Sequence, residues 1–552
     1  MKLLPILATP ALLLAIGARP AAQANQVAGR DVQLFSLSAL TAMGRTGTFP
    51  SGLNGLAMST TSCNTGVGNL PWNQAMAATH PMISFIVARR EVGDTRITQI
   101  SDRSFIKHGF FATNSGGCGS CQSPGTGSQL GPGCSDTYGT TNNGDNFWLG
   151  PADEFNPWLG TWNPVCSHFD KGEPPVAPAQ QCDGLRSLTT SQATALGPVG
   201  HRINVTDAAL NTAAAGWVYQ SQYNVIGEPE IERDNNTAWR PFTPTWSAGQ
   251  NKWNFTTGSG TNYNSILTAW PGAIVADVLN GGDDGRVHVA YKVTGPVNGV
   301  YHYEYAIHNR DNHRGIDAFR LPVCANARIL AVGFQDIDLN AGNDWTFANN
   351  GTELVWSTSN NPLNWNSFYN FWFDSDAAPQ IAPALLDQDK AGTGLAQLSV
   401  NVRAPLTVYN EYLGAGCSLD ATPPVLFATG SPANAAIPNA SFGFQSTGNA
   451  IVSPVTLFYG GLPGTLNLGG SCNLYMGGWL GTGITIWGSA VSDAVGTASF
   501  AVPVPNDAGL EGLEFRFQSL GFNLGGAPLF DLFDLSNGLN VRVGNAIPAC
   551  AP

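Results

Sequence analysis

Four side chains on two adjoining strand-like runs have the chemistry to hold a metal ion. Val287–Val293 alternates with apolar residues at the odd positions, and Tyr301–His308 alternates again after Gly295-Pro296-Val297-Asn298-Gly299. Two period-2 runs around such a turn predict an antiparallel hairpin. Residues two apart on a strand share a face, so His302, Glu304 and His308 project together, away from the tyrosines at 301, 303 and 305. With Thr294 opposite Val300, His288 pairs with Ala306 and lies diagonal to Glu304 and His308. Imidazoles and a carboxylate within mutual reach suit zinc, copper or iron. A solvated strand face carries the same residue types, and a one-residue slip takes the set apart.

A second candidate is Asp336-x-Asp338-x-Asn340-x-Gly342-x-Asp344. Alternating short oxygen ligands with a glycine to turn the chain resemble a calcium loop. The glycine stands one place late, and Phe347 occupies the twelfth position where an EF-hand has Glu, so this is no EF-hand. A calcium site in a β-domain and a plain polar turn both fit these residues.

The other reactive residues are more scattered. His80 precedes an apolar run, Met82–Ala88, and His108 lies among Phe105, Phe110 and Phe111. Either could be a general base oriented by Asp102 or Asp136, or a core histidine with one satisfied nitrogen. Glu228, Glu230 and Glu232 share one edge if 227–234 is extended, whereas glycosidases set two carboxylates across the sugar bond from different elements. Gly-x-Ser-x-Gly, His-Glu-x-x-His and the phosphate-binding glycine loop are all missing. Fifteen tryptophans, many in 148–162, 239–253 and 345–372, serve either as β-core filling or, where exposed among Asn, Asp and Gly, as sugar-stacking platforms.

The elements that position these residues are strands. Charged residues make up only 11% of the chain, and Gly (65) and Pro (36) are abundant, which predicts a mainly β fold of antiparallel β-sandwich domains. Leu513, Phe515 and Phe517, then Leu539, Val541 and Val543, alternate with polar residues as strands with one buried face. The clearest helical segment is Asp207–Ala215, with Thr206 as its cap. Residues 1–24 read as a signal peptide: Lys2, an apolar run broken by Pro5 and Pro10, and Ala22-Gln23-Ala24 before Asn25. Its removal takes the net charge from −13 to −15. An acidic chain without basic patches is a poor nucleic-acid binder, and no later segment is long and apolar enough to span a membrane.

Export makes the ten cysteines candidates for disulfides rather than zinc ligands. Cys118-x-x-Cys121, Cys134, Cys166 and Cys182 lie in a Gly/Pro/Asn/Ser-rich stretch, 113–185, read as a long disulfide-stapled loop region. It belongs to a β-rich body, 25–411, with a possible internal boundary near 250–285; a separate module follows at 412–552.

That last block resembles a module at the C-termini of uncharacterised secreted β-rich proteins of environmental bacteria. The resemblance rests on Gly414–Cys417, Ala428–Pro432, Leu466–Cys472 with Leu474-Tyr475, Ala498–Pro505 and Ser536–Leu539, and covers about 414–545. It implies a β-sandwich accessory module, transfers no catalytic residue, and makes Cys417–Cys472 the first disulfide to expect, since both lie in the one module. Two function classes stay open. The residues favour a secreted or cell-surface non-catalytic protein binding glycan or another extracellular component, with calcium as its possible cofactor. The alternative is an extracellular metal-dependent oxidase or hydrolase, or a carbohydrate-active enzyme.

Overall fold

A computed structural model describes residues 26–106, 111–143, 146–171, 182–279, 285–338, 340–408, 410–420, 422–478 and 483–544. Its named strands pair antiparallel throughout, and the larger sheets stack in face-to-face pairs around three apolar cores. Inward and outward residues alternate along each strand, which is why the period-2 runs of the sequence become one-sided core strands.

In the first pair, Val32–Thr46, Leu53–Asn64, Ser135–Tyr138 and Ile203–Thr206 form a four-stranded sheet. It packs on an eight-stranded sheet built on Met82–Arg90, Gly216–Asn224, Thr237–Ser247 and Lys252–Thr257. Leu34, Met58, Phe85, Val87 and Tyr219 meet between them. In the second pair, Ile274–Leu279, Arg286–Val297, Val300–Asn309, Ser367–Ser375 and Ile329–Gln335 face a sheet of Thr346–Asn349, Glu353–Ser357, Ile316–Pro322, Ala378–Gln388 and Gln397–Thr407. Tyr303, Tyr305, Phe371, Trp356 and Leu386 fill the space between. The third core, with Leu426, Phe444, Leu457, Phe517 and Leu539, lies between a sheet ending in Thr485–Val491 and the three strands Val425–Thr429, Gly443–Thr447 and Ala498–Ala501.

The first two pairs are themselves stacked. Even-numbered residues of Met82–Arg90 and Gly216–Asn224 point away from their own core, onto the His/Glu face of the second pair. There Ile86, Ala88, Ile97, Val218, Ile266, Leu267, Trp270, Ala290, Ala306 and Phe368 form one buried cluster. Each large side chain so covered contributes about 1.5–3 kcal/mol.

Residues 113–185 are less of an excursion than their composition predicts. Ser135–Tyr138 joins the four-stranded sheet and Leu149–Gly150 the eight-stranded one. Cys63–Cys118, Cys121–Cys134 and Cys166–Cys182 are bridged, so the Cys-x-x-Cys sulfurs go to separate partners and are neither a zinc knuckle nor a redox pair. Cys417–Cys472 is bridged, and Cys324 is disulfide-bonded as well. The helix predicted at 207 is capped by the Thr206 hydroxyl, which accepts from Ala209 N–H, and spans Asp207–Asn211.

Candidate functional site

The predicted hairpin exists, with a different register. Thr294 pairs with His302, not Val300, and His288 pairs with His308, not Ala306. The reason is local. The strand runs on past Pro296 to Val297, with a register shift between Thr294 and Val297, and closes through Asn298 and Gly299. Both residues have positive φ, 52° and 75°, the geometry of a type I′ turn that matches strand twist. The five-residue turn therefore shortens to two, and the face separates into a His288–His308 pair and a His302–Glu304 pair. At about 3.3 Å per residue, His302 and His308 are about 20 Å apart. Among the described residues, no three His, Cys, Asp or Glu side chains come together in a way that could hold a metal ion.

At one end of the stacked face, Glu304 is buried and takes a bidentate ion pair from Arg96 of the first sandwich (Nε–Oε1 2.6 Å, Nη2–Oε2 2.8 Å). The guanidinium lies 3.5 Å over the Trp372 ring. His302 bridges two carboxylates, with Nδ1 2.7 Å from Asp374 and Nε2 3.2 Å from Glu304. The Glu304 hydrogen bond raises its imidazole above the ordinary value, against partial burial, and Asp374 adds to the rise. This is a charge clamp between sandwiches.

At the other end, His288 and His308 are fully enclosed, with near-parallel rings 5.9 Å apart. His308 Nδ1 is 2.8 Å from the Ser265 hydroxyl, and among the described residues neither Nε2 has a hydrogen-bond partner. Burial, with Arg310 nearby, pushes His308 down to about 3 and His288 well below its usual value. Beyond them lies a buried ion network. Arg310 reaches Asp234, Glu230 and Asp311; Arg233 holds Asp311 at 3.1 Å and stacks on Trp158; Arg286 holds Glu230 and Asp277. The glutamates predicted on an extended edge lead into a 3-10 helix, Glu230–Asn236. Glu228 is buried, accepts from Val32 N–H and Asn236, and burial pushes its carboxyl up to about 8.

The calcium-like segment is internally hydrogen-bonded. Asp336 Oδ1 accepts from Asp338 N–H, Asp338 Oδ1 from Asn340 N–H, and Asn340 Oδ1 from Gly342 N–H. Asn361 and Asn343 donate to the second oxygens of Asp336 and Asp338. Asp344 is exposed, and burial raises the Asp336 carboxyl. These are successive Asx turns. His80 is a core histidine, Nδ1 2.6 Å from the Asn73 carbonyl; His108 lies outside the described residues. Asp102 accepts twice from Asn204, and Asp136 accepts from Trp72 and Thr113, so each has a structural task.

None of the tryptophans at 148, 158 and 162 is exposed. Among the described residues the exposed indole is elsewhere, at Trp487, 43% accessible, on the sheet-edge strand Thr485–Val491. Trp487 donates to the Ala501 carbonyl of the facing sheet and meets Tyr459 edge to face at 5.6 Å. Together they open a cleft of about 240 Å³ lined by Phe442, Val502, Pro503, Pro505 and Phe515. Sequence reasoning passed over this residue, which lies outside the three tryptophan-rich stretches. The only signal was a tryptophan in a run without charge, Thr485–Val491.

No protein-family model matches the chain, and no curated protein matches it. Among solved structures it is similar to the major pilin subunit of Bacillus cereus at 8% identity, over 62% of this chain and 84% of that one, with a TM-score of 0.18. It is also similar to Salmonella alpha-2-macroglobulin reacted with methylamine, at 9% identity, over 92% of this chain and 33% of that one, with a TM-score of 0.16. Likenesses this low carry no argument about function. The disulfides mark a chain folded under oxidising conditions. Among the described residues, no helix is long and apolar enough to cross a membrane.

Proposed function

We propose that this is a secreted or cell-surface, non-catalytic protein that binds glycan or another extracellular component through the aromatic cleft of its C-terminal sandwich. The observation that carries the reading is the Trp487–Tyr459 cleft, where a half-open indole on a rigid strand faces solvent. An amphipathic ring so placed stacks on the apolar face of a sugar while its N–H stays engaged. The titratable clusters support the same reading. His288, His308, Glu304, Glu228 and Arg310 are enclosed, where a substrate does not reach them. The disulfides support an extracellular location.

The test is calorimetric binding to a panel of soluble oligosaccharides by the oxidised protein and by Trp487→Ala. The reading expects at least one ligand in the panel to lose tenfold or more in affinity in the variant, with the melting temperature held within a few degrees. Retention of every affinity by Trp487→Ala would remove the cleft from the function. Turnover of any oligosaccharide would overturn the non-catalytic assignment.

A further inference from the structure

The seam between the first two sandwiches joins three kinds of contact. Its middle is apolar: Ile86, Val218, Leu267, Ala290 and Phe368. One end is the Arg96–Glu304–His302–Asp374 clamp, with Lys292 reaching the Asp94 and Pro271 carbonyls nearby. The other end holds His288 and His308 against polar side chains of the opposing sheet. Gln220 Oε1 accepts Ile266 N–H, while Gln220 Nε2, Gln222 Oε1 and Ser84 Oγ have no partner. Ser265 Oγ accepts Leu267 N–H and lies 2.8 Å from His308 Nδ1, so one proton is shared between the hydroxyl and the ring.

Burial first, and Arg310 second, favour the neutral form of both imidazoles. Arg310 acts on both rings and Arg286 on His288, so a proton on either ring adds a cation beside them in a buried interface. The carboxylates of Asp311, Glu230, Asp234 and Asp277 are already engaged by Arg310, Arg233 and Arg286. We propose that the His288–His308 pair is an acid-sensitive latch: the two sandwiches stay closed while both rings are neutral, and proton uptake by the rings opens the seam without unfolding either core.

The signs follow from linkage. The closed form depresses both histidines, so their contribution to closure is complete above about pH 6.5 and is lost as pH falls below it. His302 runs the other way. Its imidazole is raised by Glu304 and Asp374, so its contribution is held at acid pH and lost as pH rises through its folded value. From pH 7 to pH 5 the two buried rings therefore favour opening, and His302 opposes it. With an open-state value near 6.5 and a closed value of about 3, His308 alone raises the opening constant about 25-fold over that interval, and His288 adds in the same direction.

Phe368 N–H donates across the seam to Gln99 Oε1 at 2.9 Å, so its amide reports opening. Hydrogen exchange of that amide, corrected for intrinsic rate, is to be followed from pH 7 to pH 5 in the full oxidised chain. Far-UV circular dichroism and small-angle scattering run alongside. The latch expects protection at Phe368 to fall by more than about twentyfold with secondary structure intact, and by less than about threefold in the His288→Gln/His308→Gln variant. An equal fall in the variant, or simultaneous loss of seam and cores, overturns it. If the variant does not fold, histidine NMR of the wild type decides. Rings that do not titrate above pH 5 while the seam is closed support the latch; a ring titrating near 6.5 in the closed protein refutes it.

Discussion

Replacing Arg96 with Ala removes the one guanidinium on the buried Glu304 carboxylate, 2% exposed, together with its stacking on Trp372. Breaking a buried ion pair by deleting one partner costs about 3–5 kcal/mol, because the other charge is left desolvated. Arg96 is 18% exposed and His302 remains at 3.2 Å, so the low end of that range applies, about 3 kcal/mol with the lost stacking included. In urea this moves the first unfolding transition down by roughly 1 M for a slope near 3 kcal/mol/M. Because Arg96 and Glu304 belong to different sandwiches, that first transition is read separately from later ones. The double variant Arg96→Met/Glu304→Leu removes both charges and is expected to recover most of the loss. A pH arm sharpens the test. In Arg96→Ala the cation left on Glu304 is His302, whose folded value is raised, so the deficit grows as pH rises through that value and the ring loses its proton. A loss below 1 kcal/mol in Arg96→Ala, or a deficit that shrinks with rising pH, would refute the argument that this clamp holds the sandwiches together.

Three further outcomes follow from the same geometry. Removing the 55-residue-separated bridge with Cys417→Ser/Cys472→Ser costs about 4 kcal/mol in the chain-entropy account, confined to the C-terminal sandwich; exchange protection of Leu457 and Phe517 reads this, and loss at Val87 or Tyr305 instead contradicts it. Glu228 keeps its proton to about pH 8 when folded, so its contribution to stability falls as pH rises from its unfolded value towards 8. Glu228→Gln should flatten that part of the stability profile once the Asn236 amide, whose Oδ1 is unpartnered, turns to accept; an unchanged slope places the proton elsewhere. Millimolar calcium should shift the melting temperature by less than about 1 °C, since the Asp336–Gly342 oxygens are occupied by Asx-turn donors; a rise abolished by Asp338→Ala would show that the turns open to bind the ion.

The hairpin shows how far the chain can be read residue by residue. Which side chains share a face was legible, because strand periodicity is local: the tyrosines went to the core and His302, Glu304 and His308 to the other side. Register was not, because one shift after Thr294 and an Asn298-Gly299 turn replaced the five-residue loop. The partners were further out of reach. Arg96, Ser265 and Gln220 lie at sequence separations of tens to hundreds of residues from Glu304 and His308, and no spacing rule marks them. Trp487 escaped for a related reason: whether a tryptophan is core or surface depends on what the opposite sheet covers, and Trp487 is left 43% accessible at the mouth of its cleft.

By itself the sequence determined the elements: antiparallel strands from two-residue alternation, the Thr206 cap from side-chain chemistry, and the bridge within the C-terminal module. These depend on interactions along a few residues or within one module. Only the tertiary structure decided what the polar residues do. Sheet stacking took a histidine-bearing face out of water, and burial then set which groups ionise, which ion pairs matter and which aromatic ring stays exposed.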